Sequence, residues 1–555
     1  MSHLSGGPAR LARGCALVVV LAASPALAAT FVVNSTRDVA DASIDAACDT
    51  GSTIAGGAAE CTLRAALAEA NATVGADAIQ FDIPATDAGC TAGGICTINV
   101  TTGAPSGVLE AVAPVTIDGS TQPGNAAVCT SAIPARPAYR IVLNGDSLEP
   151  GLRLATGSSG STIRGLALRN FVNTLAIVDS SNNRVECNFV GTDENGTSGA
   201  PGNGANALVL GCNSTGNVIG GPDAEDGNVF SAHPYDGVQI VGGGCPPNEP
   251  DGNFVLGNFI GVARDGVSPL GNGYAGVSLY DGTGPDNNWV GVMPDGAGGD
   301  LYRGNVLSAN GTGIYIDGNV SGARIAANAI GTDLAGVVDL GNLYDGIASA
   351  GTTILIGGAD PAARNVIAFN GGSGVGVYDT ALENRVQRNS IFANAYLGID
   401  LDDASTPDGA TPNDPGDADT GPNNLQNFPV LQSVAPNGAN IDISYAVPSP
   451  GTLTVEFFVA DGTGQGRTFL AEATYALAGG SAVATVPGPL APGSRFVATA
   501  TDADGNTSEF SVPFVYGAAP PAAPVPAVAD PATILLLLSL MAATAALRIG
   551  RKGRG

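Results

Sequence analysis

Asn188-Phe189-Val190-Gly191 recurs as Asn258-Phe259-Ile260-Gly261 and again as Asn328-Ala329-Ile330-Gly331, at two equal intervals of 70 residues. In each copy another glycine follows five positions later, as Gly196, Gly266 and Gly336. A fixed period says that one supersecondary unit is stacked on itself. Two further short apolar runs lie between the marks. One includes Asn217-Val218-Ile219-Gly220 and Asn288-Trp289-Val290-Gly291, the other Gly227-Asn228-Val229-Phe230 and Gly304-Asn305-Val306-Leu307. Glycine-led strands such as Gly237-Val238-Gln239-Ile240 and Gly313-Ile314-Tyr315-Ile316 follow them. Short β-branched runs with Gly, Asn and Asp between them, and no helical period, predict a parallel β-solenoid. The expected unit is three sub-repeats of roughly 23 residues, or about three rungs per long repeat. The recurrent asparagines suit left-handed turns and side-chain ladders along the stack, and the glycines suit positive φ at corners. Both are scaffold.

Composition narrows the partners. The 555 residues carry a net charge of −28, with 80 Gly and only 13% charged residues. Without the two leader arginines, the four basic residues of the tail and Asp530, 16 basic and 49 acidic residues remain, a balance of −33. The sole lysine is Lys552. Such a field repels nucleic acid, so no nucleic-acid partner is expected.

Residues 1–28 read as a signal peptide: Arg10 and Arg13, an apolar Ala16–Ala23 core, and Ala26-Leu27-Ala28 as a small-x-small cleavage site. Export implies an oxidising compartment, and the eight cysteines that follow are even in number. Cys48 with Cys61 and Cys90 with Cys96 are local candidate disulfides. Cys212 and Cys245 each follow an equivalent strand and are expected on adjacent rungs, within bridging reach. Elimination leaves Cys129 with Cys187.

Residues 29–90 read as a capping module: a strand over Phe31–Thr36, a helix over Cys61–Asn71 that Thr62 can cap, and a strand over Ile79–Ile83. Cys61-Thr62-Leu63-Arg64-Ala65-Ala66 resembles the signature of the CSLREA domain of bacterial surface proteins, with Thr for Ser and Ala for Glu. The resemblance covers about 55 residues. It implies a cap on the end of a β-helix, where strand edges would otherwise lie open. Arg64 is expected to pair with a carboxylate or helix-end carbonyls.

Residues 95–427 resemble right-handed parallel β-helix proteins of the pectin-lyase-like superfamily. That resemblance implies the fold and no single activity, since the fold hosts many. The Gly-His-Gly and Arg-x-Lys patterns of its polygalacturonase-like members are absent, and His233 is the only histidine after the leader. The repeated Asp193 and Asp333, six rungs apart on this reading, would stand near 29 Å at ~4.8 Å per rung, too far for an acid pair. Asp236, Asp281, Asp317, Asp345 and Asp379 are scattered acids that folding can bring together. Tyr235, Tyr274, Tyr344 and Tyr396 precede rung strands, where they form either an exposed sugar-stacking stripe or part of the core or rim packing.

No cofactor motif is present. Between residues 402 and 427 the acids Asp402, Asp403, Asp414, Asp417 and Asp419 are candidate ligands for a structural Ca²⁺, although no Asp-x-Asp-x-Asp-Gly loop occurs. Alternation at Leu453, Val455, Phe457 and Val459 predicts a small antiparallel β-sandwich over 428–516. A Pro/Ala linker (517–531) and an apolar run with a basic end (532–555) follow, fitting a single membrane helix. With Val525-Pro526-Ala527-Val528 the tail resembles IPTL/PEP-type C-terminal sorting signals, which implies a sorting machinery as partner. The whole reads as an exported, cell-surface, non-enzymatic β-helix protein for adhesion or contact with polysaccharide or matrix. The alternative is a polysaccharide lyase or glycoside hydrolase with a carboxylate cluster in the solenoid groove.

Overall fold

The computed structural model describes residues 28–517, apart from 102–106, 147–149, 243–248, 281–283, 286, 403–408 and 489. The signal peptide up to residue 27, the linker and the C-terminal apolar run, with their sorting motif, lie outside the described residues. Among the described residues no helix is long and apolar enough to cross a membrane.

Three long parallel sheets make the body, a parallel β-helix. Sheet 1 has eleven strands, from Thr30–Val33 to Arg385–Gln387. Sheet 2 has ten, from Cys96–Asn99 to Ser390–Phe392, and sheet 3 ten, from Leu109–Ala111 to Ile399–Leu401. The chain visits sheets 1, 2 and 3 in turn and then starts the next rung. Each strand is two to six residues long because one or two inward side chains fill the narrow interior. Ile163, Val185, Ile219, Val255 and Val290 stack on sheet 1, and Leu175, Leu208, Val238, Val277 and Ile314 on sheet 3, all at most 1% exposed.

The rung count differs from the expectation. Phe189–Val190 pairs with Val229–Phe230, which pairs with Phe259–Ile260, so 70 residues hold two rungs of about 35, not three. The physical reason is that Asn-x-(Val/Ile)-Gly opens strands in two sheets of the same rung. Asn217-Val218-Ile219-Gly220 belongs to sheet 1 and Asn228-Val229-Phe230 to sheet 2. The period is two rungs because a long sheet 2–sheet 3 connection, as after Ile260, alternates with a short one, as after Phe230.

Asparagine ladders brace the corners. The backbone N–H of each ladder residue donates to the side-chain oxygen of the next, in the column Asn188, Asn228, Asn258, Asn305, Asn328, Asn365, Asn389 at 2.9–3.1 Å. Second and third columns run Asn183, Asn217, Asn253, Asn288 and Asn272, Asn310, Asn342, Asn370, Asn394. These amides satisfy corner backbone groups that no sheet ladder reaches. Gly261 shows what the corner demands: its φ is +86°, and a Cβ there would meet Ser308 O at 2.2 Å.

The N-terminal segment is continuous with the solenoid. Thr30–Val33 and Asp77–Phe81 are the first two strands of sheet 1, and the helix Leu63–Ala72 buries Leu63, Ala66, Leu67 and Ala70 in the same core. Thr62 caps that helix by accepting from Ala65 N–H. Arg64 forms a two-point ion pair with Asp38, at 2.7 and 2.9 Å. Disulfides join Cys48 to Cys61, Cys90 to Cys96 and Cys129 to Cys187. Cys212 is also disulfide-bonded. Cys245, its expected partner, lies outside the described residues.

At the other end an antiparallel β-sandwich of three and four strands begins at Val430 and closes the last rung. Gln465 continues the third ladder: its Oε1 accepts from Asn394 N (3.1 Å) and Nδ2 (2.9 Å). Its Nε2 donates to the carbonyls of Asn394 and Tyr396. Asn506, Thr507, Glu456, Asp461 and Glu509 accept from the N–H groups of Glu383, Val386, Arg388, Ala393 and Leu401. The exposed donors of a terminal rung are thus taken one by one by sandwich side chains.

Glu456 brings a pH dependence to this junction. Burial pushes its carboxyl up to about 7, against the pull of the Arg388 N–H and guanidinium and with a push from Glu472. An acid raised in the folded state contributes stability that is complete below its unfolded pKa and is lost as pH rises through the folded value. Between about pH 4.5 and 7 the junction is therefore expected to weaken, by up to roughly 3 kcal/mol. Glu456→Gln keeps an acceptor for Arg388 N–H and removes the titration. Urea midpoints at about pH 5 and pH 8 should converge for the variant and stay apart in the wild type; equal slopes would refute the assignment.

Candidate functional site

The three outer faces differ in access. The loop carrying Val128, Cys129, Ile133 and Tyr139 covers the early strands of sheet 2, burying Val142, Ala167 and Phe189. The outer face of sheet 3 carries residues of distinct chemistry, some of them partly exposed.

On that face, positions aligned by register make columns along the axis. One runs Ala176, Val209, Gln239, Ser278, Tyr315, Ala348, Gly376, Asp400. Just before the strands lies a second column, tied rung to rung by backbone bonds. Tyr274 N donates to Tyr235 O (3.1 Å), Tyr344 N to Gly311 O (2.8 Å), Gly372 N to Tyr344 O (3.0 Å) and Tyr396 N to Gly372 O (3.1 Å). Tyr235, Tyr274, Tyr344 and Tyr396 thus share one edge over five rung steps, about 24 Å at ~4.8 Å each. They are 58%, 40%, 61% and 54% exposed, which excludes a core role.

An aromatic band crosses the face from this column. Tyr274 meets Tyr315 edge-on at 5.7 Å, and Tyr315 meets Tyr280 at 5.2 Å. Burial and neighbouring tyrosines and acids raise the Tyr280 phenol and push that of Tyr315 up to about 12, so both stay neutral at physiological pH. Rings of this kind offer apolar faces beside hydroxyl edges.

Toward the C-terminal end the face turns acidic. The Tyr378 ring lies against Gly376, where a Cβ would meet its hydroxyl, and that hydroxyl donates to Asp345 Oδ2. Asp345 Oδ1 accepts from Ser373 N (2.7 Å), and the Ser373 hydroxyl donates to Asp400 Oδ2 (2.8 Å). Two carboxylates from different rungs are therefore joined through one serine. Burial raises the Asp345 carboxyl; the Tyr378 and Ser373 bonds oppose it. Beside them a cavity of about 610 Å³ is lined by Tyr378, Asp379, Leu382, Asp402, Pro422 and Asn424, among others.

The other candidate residues fall into place around this face. Asp236 is 2% exposed and raised to about 6 by burial; it accepts from Ala275 N and Gln239 Nε2, a brace between rungs. Asp317 and Asp379 follow strands of sheet 3, and Asp281 lies outside the described residues. Asp193 and Asp333 accept backbone N–H groups within their own loops. They are four rungs apart rather than six, about 19 Å at ~4.8 Å per rung, still beyond the reach of an acid pair. His233 is buried between Ser231 O and Thr174 Oγ1 and held down to about 3 by desolvation, a neutral strut. Asp414, Asp417 and Asp419 can bring one oxygen each to within 4.8 Å of one another, a set that could hold a cation. Asp414 and Asp417 already accept from Ala418 N and Asn427 N, which close that loop. Asp402 stands apart, at the end of the sheet 3 face; Asp403 lies outside the described residues.

The sequence reading missed Tyr280, Tyr315, Tyr378 and Asp400. Their signal was the outward position of a glycine-led strand, or the residue just after it, as in Gly313-Ile314-Tyr315-Ile316.

No family model and no curated protein sequence matches the chain. Among solved structures, the A-module of the Azotobacter vinelandii mannuronan C-5 epimerase AlgE6 is 15% identical, with a TM-score of 0.34 over 61% of this chain and 84% of that one. The AlgE4 A-module from the same organism is 12% identical, with a TM-score of 0.35 over 61% and 85%. The bacteriophage CBA120 tailspike protein 2 enzymatically active domain is 10% identical, with a TM-score of 0.20 over 80% and 66%.

Proposed function

We propose that this is an exported β-helix protein, held at the cell surface, that binds a linear glycan of its surroundings along the sheet 3 face without turning it over. The observation that carries the reading is the exposed tyrosine column from Tyr235 to Tyr396, with the Tyr274–Tyr315–Tyr280 band beside it. Sugar rings present C–H faces to aromatic planes and hydroxyls to flanking carboxylates and amides, and a solenoid supplies both at a fixed repeat. Export is supported by the disulfides, which persist in oxidising compartments. In the same proposal the N-terminal segment is a CSLREA-type cap. The segment 532–555 is then a membrane anchor or a substrate of sorting machinery, and Ca²⁺ in the Asp414–Asp417–Asp419 loop has a structural role only.

A hydrolase or lyase is the second reading, favoured by the joining of Asp345 and Asp400 through Ser373 and by the raised Asp345 carboxyl. One experiment separates them: a glycan-array screen of the purified chain, with every bound polymer then incubated and assayed for new chain ends. Binding with unchanged polymer length is expected. Chain cleavage lost in Asp345→Asn would overturn the non-enzymatic reading in favour of the second.

A further inference from the structure

We infer that the glycan on this face carries protonated amino groups, as in a polymer of N-deacetylated hexosamine, and not uronate carboxylates. The inference rests on the glycan-contact reading and concerns the charge of the ligand. Two independent features of the face agree on it.

The first is the sign of its charge. Asp317, Asp379, Asp400 and Asp402 lie on or just after strands of sheet 3 and Asp345 just before one, together spanning four consecutive rungs, and each is at least partly exposed. Among the described residues the strands of that sheet carry one arginine, Arg153, eight rungs from Asp400 in register and already 3.5 Å from Glu110. No lysine precedes Lys552. A polyuronate laid across this face would bring its carboxylates toward these acids with no arginine of the neighbouring strands to offset the repulsion. An ammonium at each sugar would instead meet an acid at rung spacings of ~5–10 Å, the order of one sugar residue.

Aromatic character is the second. Tyrosine faces carry negative quadrupole potential and attract ammonium groups, whereas carboxylates gain nothing from them. Tyr344 and Tyr396 flank the acidic end, so stacking and charge recognition fall on the same stretch of ligand.

The test measures binding of the full chain to three hexamers: glucosamine, N-acetylglucosamine and galacturonate. It is run at about pH 5.5, below the range of an aliphatic α-amino group. Glucosamine hexamer is expected to bind at least about tenfold more tightly than the acetylated form, and to lose that margin between about 30 and 300 mM salt. Asp379→Asn with Asp402→Asn should erase the margin between the two forms. Both side chains are exposed, and Asp379 sits at φ 59°, a conformation asparagine also adopts. Galacturonate binding as tight as that of glucosamine, an equal affinity for the acetylated form, or a margin that survives the double variant would each overturn the inference. Tyrosine-dependent binding confined to neutral or uronate hexamers sinks the inference alone. Hexamer binding that ignores Tyr274→Ala with Tyr344→Ala sinks the glycan-contact reading as well.

Discussion

Asn258→Ala is expected to cost on the order of 4 kcal/mol. Asn258 is fully buried in the middle of its ladder. Its side-chain oxygen accepts from both Asn228 N (2.9 Å) and Asn228 Nδ2 (2.9 Å). Its amide donates to Ile219 O (2.8 Å) and Asn305 Oδ1 (3.0 Å). Alanine leaves two donors of Asn228 buried without their acceptor, each worth roughly 1–3 kcal/mol. Aspartate would keep the acceptor, lose the donor and bury a charge, so Asn258→Asp should be no better. Urea unfolding followed by circular dichroism reads the effect, with exposed Asn437→Ala as a control expected to change little. A loss below about 1 kcal/mol for Asn258→Ala would mean that the ladder is decorative.

The second large effect is on binding. Tyr274→Ala with Tyr344→Ala removes two platforms two rungs apart, and glycan affinity should fall about a hundredfold at about 1–1.5 kcal/mol per ring. Tyr344 is 61% exposed and makes no ring contact among those of the described residues, so the stability change there should be small. Tyr274 also packs on Tyr315, so its loss should loosen the transverse band. Phenylalanine at both positions keeps the planes and should retain most of the affinity. Wild-type affinity in the double alanine variant, measured by calorimetry on the best array ligand, would remove the tyrosine column from the argument.

The sequence was legible where a position repeats and silent where rungs meet. The solenoid could be read because strands, asparagines and corner glycines recur at fixed intervals, and a period survives without knowledge of tertiary contacts. The rung count could not, because Asn217 and Asn228 carry the same local signature in different sheets; only pairing distinguishes them. Tyr235, Tyr274, Tyr344 and Tyr396 stood out because each precedes an equivalent strand. Tyr378 and Asp400 did not, and Asp345 stood out only as one of several scattered acids, since the three come together only when three rungs superpose. Gln465 is the extreme case. Nothing local marks a glutamine in a sandwich hairpin as the last member of an asparagine column in another module.

The placement of the disulfides has a mechanical consequence. Every cysteine after Cys15 falls in the stretch from Cys48 to Cys245, and the Cys129–Cys187 bridge staples the early coils to each other. Beyond residue 245 the coils are held by hydrogen bonds and packing alone. A pull between the two ends of the molecule would therefore reel out the C-terminal half and leave the N-terminal half wound. Each released coil of about 35 residues would pay out roughly 120 Å of chain. The tyrosines from Tyr274 to Tyr396 sit on the half that yields, so a load on a bound polymer would be absorbed as slack before it reached the stapled half.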